Sequence, residues 1–193
     1  MKKVNQEINL DAEVNASSDQ EKSGLFHEIV GSDAWSHLVL EVIEDIFVRL
    51  FSLKIAPAPK SPQELELGES LIINSRESVH AYVPIVETML QGYMGLFMRE
   101  DVCAKLLSSR YGMQIDQVRP MVNDGLCEVV NMIFGLLKAN LYERGCELQM
   151  QIPKVNFDVL ALSSQTNTQV YSFSSPYGEI HVIFYLIQRE SKS

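Results

Sequence analysis

The sequence predicts an α+β domain in which helices pack on a mostly antiparallel β-sheet. Three observations lead there. Two long segments carry apolar residues at helical spacing, the stretches that follow each of them alternate with period two, and Ser175-Pro176-Tyr177-Gly178 joins the last two alternating runs as a hairpin turn. Helix then strands in both halves of the chain is an order that segregates helices onto one antiparallel sheet. The length of 193 residues and the 46% hydrophobic content fit one domain with a full core.

Residues 1–30 are rich in Asn, Gln, Ser, Glu, Asp and Lys, and their isolated apolar residues form no stripe, so they read as a flexible tail ahead of a domain over 31–193. Ser32 or Asp33 caps a first helix whose apolar residues, from Trp35 to Phe51, recur at helical spacing to about Leu53, before Pro57 and Pro59. Lys60 to Gly68 reads as a connector, and Leu71-Ile72-Ile73 as a short strand. From Val79 to Met89 apolar residues alternate, Gln91-Gly92 reads as a turn, and Tyr93 to Met98 resumes as the second arm of a hairpin. Pro84 places the first arm at an edge or a bulge. A short helix from about Asp101 to Tyr111 stops at Gly112, and a long helix runs from about Asp116 to Arg144 with Pro120 near its start. Strands over 147–152, 168–174 and 179–188 complete the chain.

A formal net charge of −9, with Lys and Arg scattered singly, lacks the footprint of a nucleic-acid binder. Asn5, Gln6 and Glu7 stand where a signal peptide needs an apolar core, and no run approaches the roughly 18 apolar residues of a membrane span, so the expected location is cytoplasmic. Cys103, Cys127 and Cys146 form no CxxC pair and read as reduced thiols. His27, His80 and His181 have no spacing that builds a triad or a zinc site, and His37, Glu41, Glu44 and Asp45 read as the wet face of the first helix, so no metal site is expected.

Met121 to Tyr142 carries the chemistry. At about 100° per residue, with Asp124 at zero, Glu128 falls at about 40°, Asn131 at about −20°, Gly135 at about 20° and Lys138 at about −40°. The opposite arc holds Val122, Leu126, Val129, Val130, Ile133, Leu136, Leu137 and Leu141, enough to dock the helix on a sheet. Gly135 in a helix interior costs about 1 kcal/mol relative to Ala, and Asn131 is a poor helix former because its amide competes for backbone hydrogen bonds. Spacing alone leaves two readings open: an ordinary solvated face in which Gly135 admits a neighbouring side chain, or a stripe kept flat for another surface.

The run Asn123-Asp124-Gly125-Leu126-Cys127-Glu128-Val129-Val130-Asn131-Met132-Ile133-Phe134-Gly135-Leu136-Leu137-Lys138 resembles the signature helix of the CheC/CheX/FliY chemotaxis phosphatases, with their ExxN motif. Ser78 to Gly112 is similar to the family's strand, turn, strand and following helix, and Tyr171 to Leu186 to its closing hairpin. The first helix has Glu41-Val42-Ile43-Glu44, a carboxylate where a second ExxN would place its amide, so the resemblance is to the single-site, CheX-like branch. Phe157 stands where relatives often have glycine.

This resemblance implies a CheC-like fold and a phosphatase acting on the phospho-aspartate of a CheY-type response-regulator receiver. The Mg²⁺ and the reactive lysine belong to that partner, and this chain binds no cofactor. The resemblance further implies that Glu128 engages the partner's lysine, that Asn131 holds the attacking water, and that Asp124, Gly135 and Lys138 lie on the docking surface. It also implies a homodimer. The competing expectation is a non-catalytic adaptor that keeps the fold and docks on a two-component signalling protein.

Overall fold

Ser32 opens the first helix, α1 (Asp33–Phe51), its hydroxyl accepting from the Trp35 N–H at 3.2 Å. That bond satisfies one of the donors a helix N-terminus leaves over. The computed structural model describes residues 32–58, 78–86, 90–145, 148–149, 151–155 and 168–188. The N-terminal tail, the Leu71–Ile73 strand and Phe157 fall outside them. After α1 come β1 (Ala56–Pro57), β2 (Ser78–Val86), β3 (Leu90–Arg99), α2 (Glu100–Tyr111), α3 (Ile115–Val118), a 3₁₀ turn (Arg119–Met121), α4 (Val122–Glu143), β4 (Thr168–Ser175) and β5 (Gly178–Gln188).

The strands form one antiparallel sheet in the order β1-β4-β5-β3-β2, so the α+β expectation holds. Period-two alternation sends Val79, Ala81, Val83 and Ile85 of β2, Met94, Leu96 and Met98 of β3, and Ile180, Val182, Phe184 and Leu186 of β5 to one buried face. The helices cover that face. Trp35 of α1 meets Phe184 edge to face at 5.2 Å and donates its indole N–H to Gln169 of β4 at 3.1 Å, which anchors α1 over β4 and β5. α4 lies against β2 and β3 and packs beside α1 and α2.

Several boundaries differ from expectation. Gln91 and Gly92 form no turn: they lie inside β3, opposite Val86 and Ile85, and 87–89, which join β2 to β3, lie outside the described residues. A Cβ on Gly92 would sit 1.9 Å from the Tyr185 carbonyl oxygen, so the glycine serves the close approach of β5. The long helix starts at Val122 instead of near Asp116, because Pro120 lacks the N–H that a continuous helix would need, and a 3₁₀ turn takes its place. Pro57, before which the first helix ends as expected, belongs to β1, which pairs with Phe173 and Ser174 of β4. No strand spans 147–152 in the described residues there. The pairing in this region is Lys154 with Tyr82, through backbone bonds of 2.9 and 2.8 Å.

That bridge also explains Pro84. Tyr82 turns its N–H and C=O away from β3 toward Lys154, and the residue two further on shares that orientation, so the proline removes no bond from the β2–β3 ladder. As the sequence predicts, β2 is an edge strand of the sheet, and the α2 helix ends at Gly112 in the left-handed conformation, φ 63°.

The second face of the sheet carries His80, stacked on Phe97 at 5.4 Å, and His181. Burial lowers the pKa of both below the ordinary 6.5, with Glu179 partly opposing this at His181. The unfolded chain therefore binds more protons than the folded one as pH falls below 6.5, and stability present above that pH is lost on acidification. Urea unfolding is expected to show stability falling from pH 7.5 to pH 5.5, by up to about 1.4 kcal/mol per pH unit for each histidine. A His80→Gln, His181→Gln double variant should flatten that slope.

Candidate functional site

Nine residues of α4 are buried: Val122, Gly125, Leu126, Val129, Val130, Ile133, Phe134, Leu137 and Leu141. Phe134 and Gly125 replace Leu136 of the expected arc, and Leu136 is half-buried against the core. The arc is thus rotated slightly, but the stripe it leaves outside is the one the sequence predicts. Asp124 and Glu128 are exposed, and Asn131, Gly135 and Lys138 are half-buried. All five lie along one side of α4, within three and four residues of one another, the spacing that makes helical side chains neighbours.

The Asn131 amide makes no hydrogen bond among the described residues, so both its donor and its acceptor are available. Glu128 is met at Oε1 by the Arg110 Nη2, at 3.3 Å. The side chain of Arg110 is 24% exposed and that of Glu128 49%, so the cation is the more firmly seated partner. Arg110 stands at the end of α2, its guanidinium carbon 5.5 Å from the centre of the Tyr111 ring. It reaches Glu128 because Gly125 lets α2 close on α4: a Cβ there would stand 2.7 Å from Leu107 Cδ2 of α2.

The two glycines of α4 therefore differ in kind. Gly125 is explained by the chain's own packing. A Cβ on Gly135 would meet nothing within 4 Å, so among the described residues there is no neighbouring side chain that requires its absence.

Residues 79–174 match the family model described as chemotaxis phosphatase CheX, a span that runs from β2 through α4 into β4. The resemblance of the sequence to the CheC/CheX/FliY family is thereby borne out. The chain's fold is shared with CheX of Vibrio vulnificus, at 19% identity over 78% of this chain and 95% of the other, TM-score 0.62. A CheC-like superfamily protein from Shewanella sp. PV-4 matches at 17% identity over 81% and 99%, TM-score 0.64. A third structure, the CheX-CheY-BeF₃-Mg²⁺ complex from Borrelia burgdorferi, matches at 17% identity over 80% and 97%, TM-score 0.57. No curated protein sequence matches significantly.

The rest of the molecule offers less. Among the described residues no three His, Cys, Asp or Glu side chains come together as a metal site, and Asp45 of α1 is held by Arg49 at 2.8 Å. No described helix is long and apolar enough to cross a membrane. Cys103 and Cys127 are free thiols; burial pushes Cys103 up to about 12, which keeps it protonated and unreactive. Cys127 is raised too, first by burial and then by Asp124. Cross-strand pairing does gather Ser172, His181 and Glu179, with Ser172 Oγ 3.0 Å from His181 Nδ1. Glu179 Oε2, at 3.8 Å from Nε2, is beyond hydrogen-bond reach, so the bond that fixes a catalytic histidine is missing.

Arg110 is the site residue that sequence reasoning does not find. Eighteen residues separate it from Glu128, and no periodicity links them, since their meeting depends on how α2 packs against α4. The glycine pair supplies a direct check. Gly135→Ala is expected to stabilise the chain by about 0.5–1 kcal/mol through helix propensity alone. Gly125→Ala, whose methyl runs into the buried Leu107, should instead destabilise by about 1 kcal/mol, both read from urea midpoints.

Proposed function

We propose that this chain accelerates hydrolysis of the phospho-aspartate on a CheY-type receiver, with Glu128 engaging the receiver's active-site lysine and Asn131 orienting the attacking water. The observation that carries the reading is the pair itself: an acid and an amide with no hydrogen bond among the described residues, three residues apart on the open side of α4, beside a glycine whose missing side chain no described residue requires. Phosphoryl transfer depends chiefly on placement and on electrostatics. The acyl phosphate, its Mg²⁺ and the neutralising lysine come with the receiver, so this chain binds no cofactor of its own. What remains is to bring a water into line, and a neutral amide both donates to and accepts from water without repelling the phosphoryl oxygens.

The match to the CheX family model and the CheX-CheY pairing crystallised from Borrelia burgdorferi support the choice of partner. Asp124, Gly135 and Lys138 form the surface around the pair, and Gly135 keeps it low enough for a second domain to approach. A homodimer, formed through the sheets, and a cytoplasmic location belong to the same reading; light scattering tests the former.

The assay follows phosphate loss from Mg²⁺-loaded, phosphorylated CheY-type receivers. The wild-type chain is expected to speed it. A misplaced water costs on the order of 100-fold, so Asn131→Ala should lower the rate by about that factor while leaving binding to the beryllofluoride-activated receiver nearly intact. Normal phosphate release by Asn131→Ala would refute the role given to the amide, and receiver binding with no acceleration by the wild type would identify an adaptor instead.

A further inference from the structure

We propose that Arg110 is a positioning residue for Glu128: it holds the carboxylate by one oxygen so that the other is presented, already oriented, to the cation of the docking receiver. The inference rests on the function proposed above and adds a residue from a different helix to it. Its starting point is an asymmetry. Of the lysine and arginine ion pairs among the described residues, Arg110–Glu128 has the least exposed cation, 24% against 41% for the next. Four of the others join residues within four positions of each other, whereas this one ties α2 to α4.

A seated cation holding an exposed acid is a geometry for orienting the acid. Glu128 is the freer partner, half of its side chain being in solvent, and an untethered glutamate samples many rotamers that docking would have to freeze. The contact is monodentate, through Nη2 and Oε1 at 3.3 Å, and an ionised carboxylate has acceptor capacity well beyond one bond. Oε2 is therefore left for an incoming ammonium group.

Charge balance decides between this role and the opposite one, in which Arg110 masks Glu128 against the partner. Asp124, one turn earlier on the same stripe, is exposed and forms no ion pair among the described residues. At this end of the stripe the two acids outnumber the one guanidinium, Lys138 lying ten residues beyond Glu128 along α4, so a partner's cation is still attracted. The carboxylate also lies between the two cations and screens them from each other.

The test measures affinity for a panel of CheY-type receivers loaded with Mg²⁺ and beryllofluoride, alongside phosphate release. Arg110→Met keeps the apolar stem and removes the charge; it is expected to weaken binding about fivefold and raise KM by a similar factor, with kcat at saturation unchanged. Arg110→Lys, which can make the same single bond, should recover most of the loss. In a Glu128→Gln background, Arg110→Met should change affinity by less than about 1.5-fold, because the residue it positions is no longer an anion. Unaltered or tighter binding by Arg110→Met, or the full fivefold effect persisting in Glu128→Gln, overturns the proposal. These outcomes are separate from failure of the phosphatase reading, which shows as a wild-type chain that binds receivers without speeding phosphate loss, and the affinity comparison decides the role of Arg110 in that case as well.

Discussion

The docking of α4 on the sheet is the constraint from which the rest follows. Val130, Ile133 and Leu141 are fully buried, and Val122, Leu126 and Leu137 nearly so, against β2 and β3 and the flanking helices. A helix held by so wide an apolar arc has one rotation available, since turning it by even a third of a revolution would bring Asp124 and Glu128 toward the core and leave large aliphatic side chains in water. The same burial that stabilises the domain therefore fixes which residues face outward. Glu128 and Asn131 are presented because Val129, Val130 and Ile133, interleaved with them in sequence, are not.

Local chemistry made much of this visible in the sequence. Ser32, the turn at Ser175–Gly178 and the αL glycine at 112 act within a few residues of themselves, so their effects are readable without tertiary information. Helical periodicity did the same for α1 and α4, and with it for the stripe. What escaped depends on residues distant in the chain. Gly92 next to Gln91 has turn composition, yet it is required by the Tyr185 carbonyl 93 positions away in sequence. Ala56 and Pro57 make a strand only because β4 offers its edge, and Arg110 enters the site only because Leu107 of α2 nestles on Gly125 of α4. The Pro120 break is a question of degree: the sequence places the proline near the helix start, and its missing N–H interrupts the regular helix there with a 3₁₀ turn.

Two glycines in one helix illustrate how a single residue type carries different information. Each is unfavourable for helix formation by about 1 kcal/mol. At Gly125 the penalty is offset inside the fold, by close contact between α2 and α4. At Gly135 the described residues offer no such offset, which is why the proposed function gives this glycine to the surface a partner meets.

Under the proposed reading, the chain's contribution is placement, and placement is set by parts remote from the chemistry. The acid and the amide sit one turn apart on α4, so their separation is fixed by helix geometry and not by loops. The orientation of the acid is then set by α2 through Arg110, while the depth to which a partner can approach is set by the bare backbone at Gly135. Each of these three determinants belongs to a different packing contact: α4 on the sheet, α2 on α4, and α4 on whatever surface arrives. A site so divided relies on where its groups are held, and the two acids of the stripe lie in solvent while His80 and His181 sit on the other face of the sheet. It also means that a core change beneath α4, at Ile133 for example, would act on the site by tilting the helix even though it touches none of the residues that face the partner.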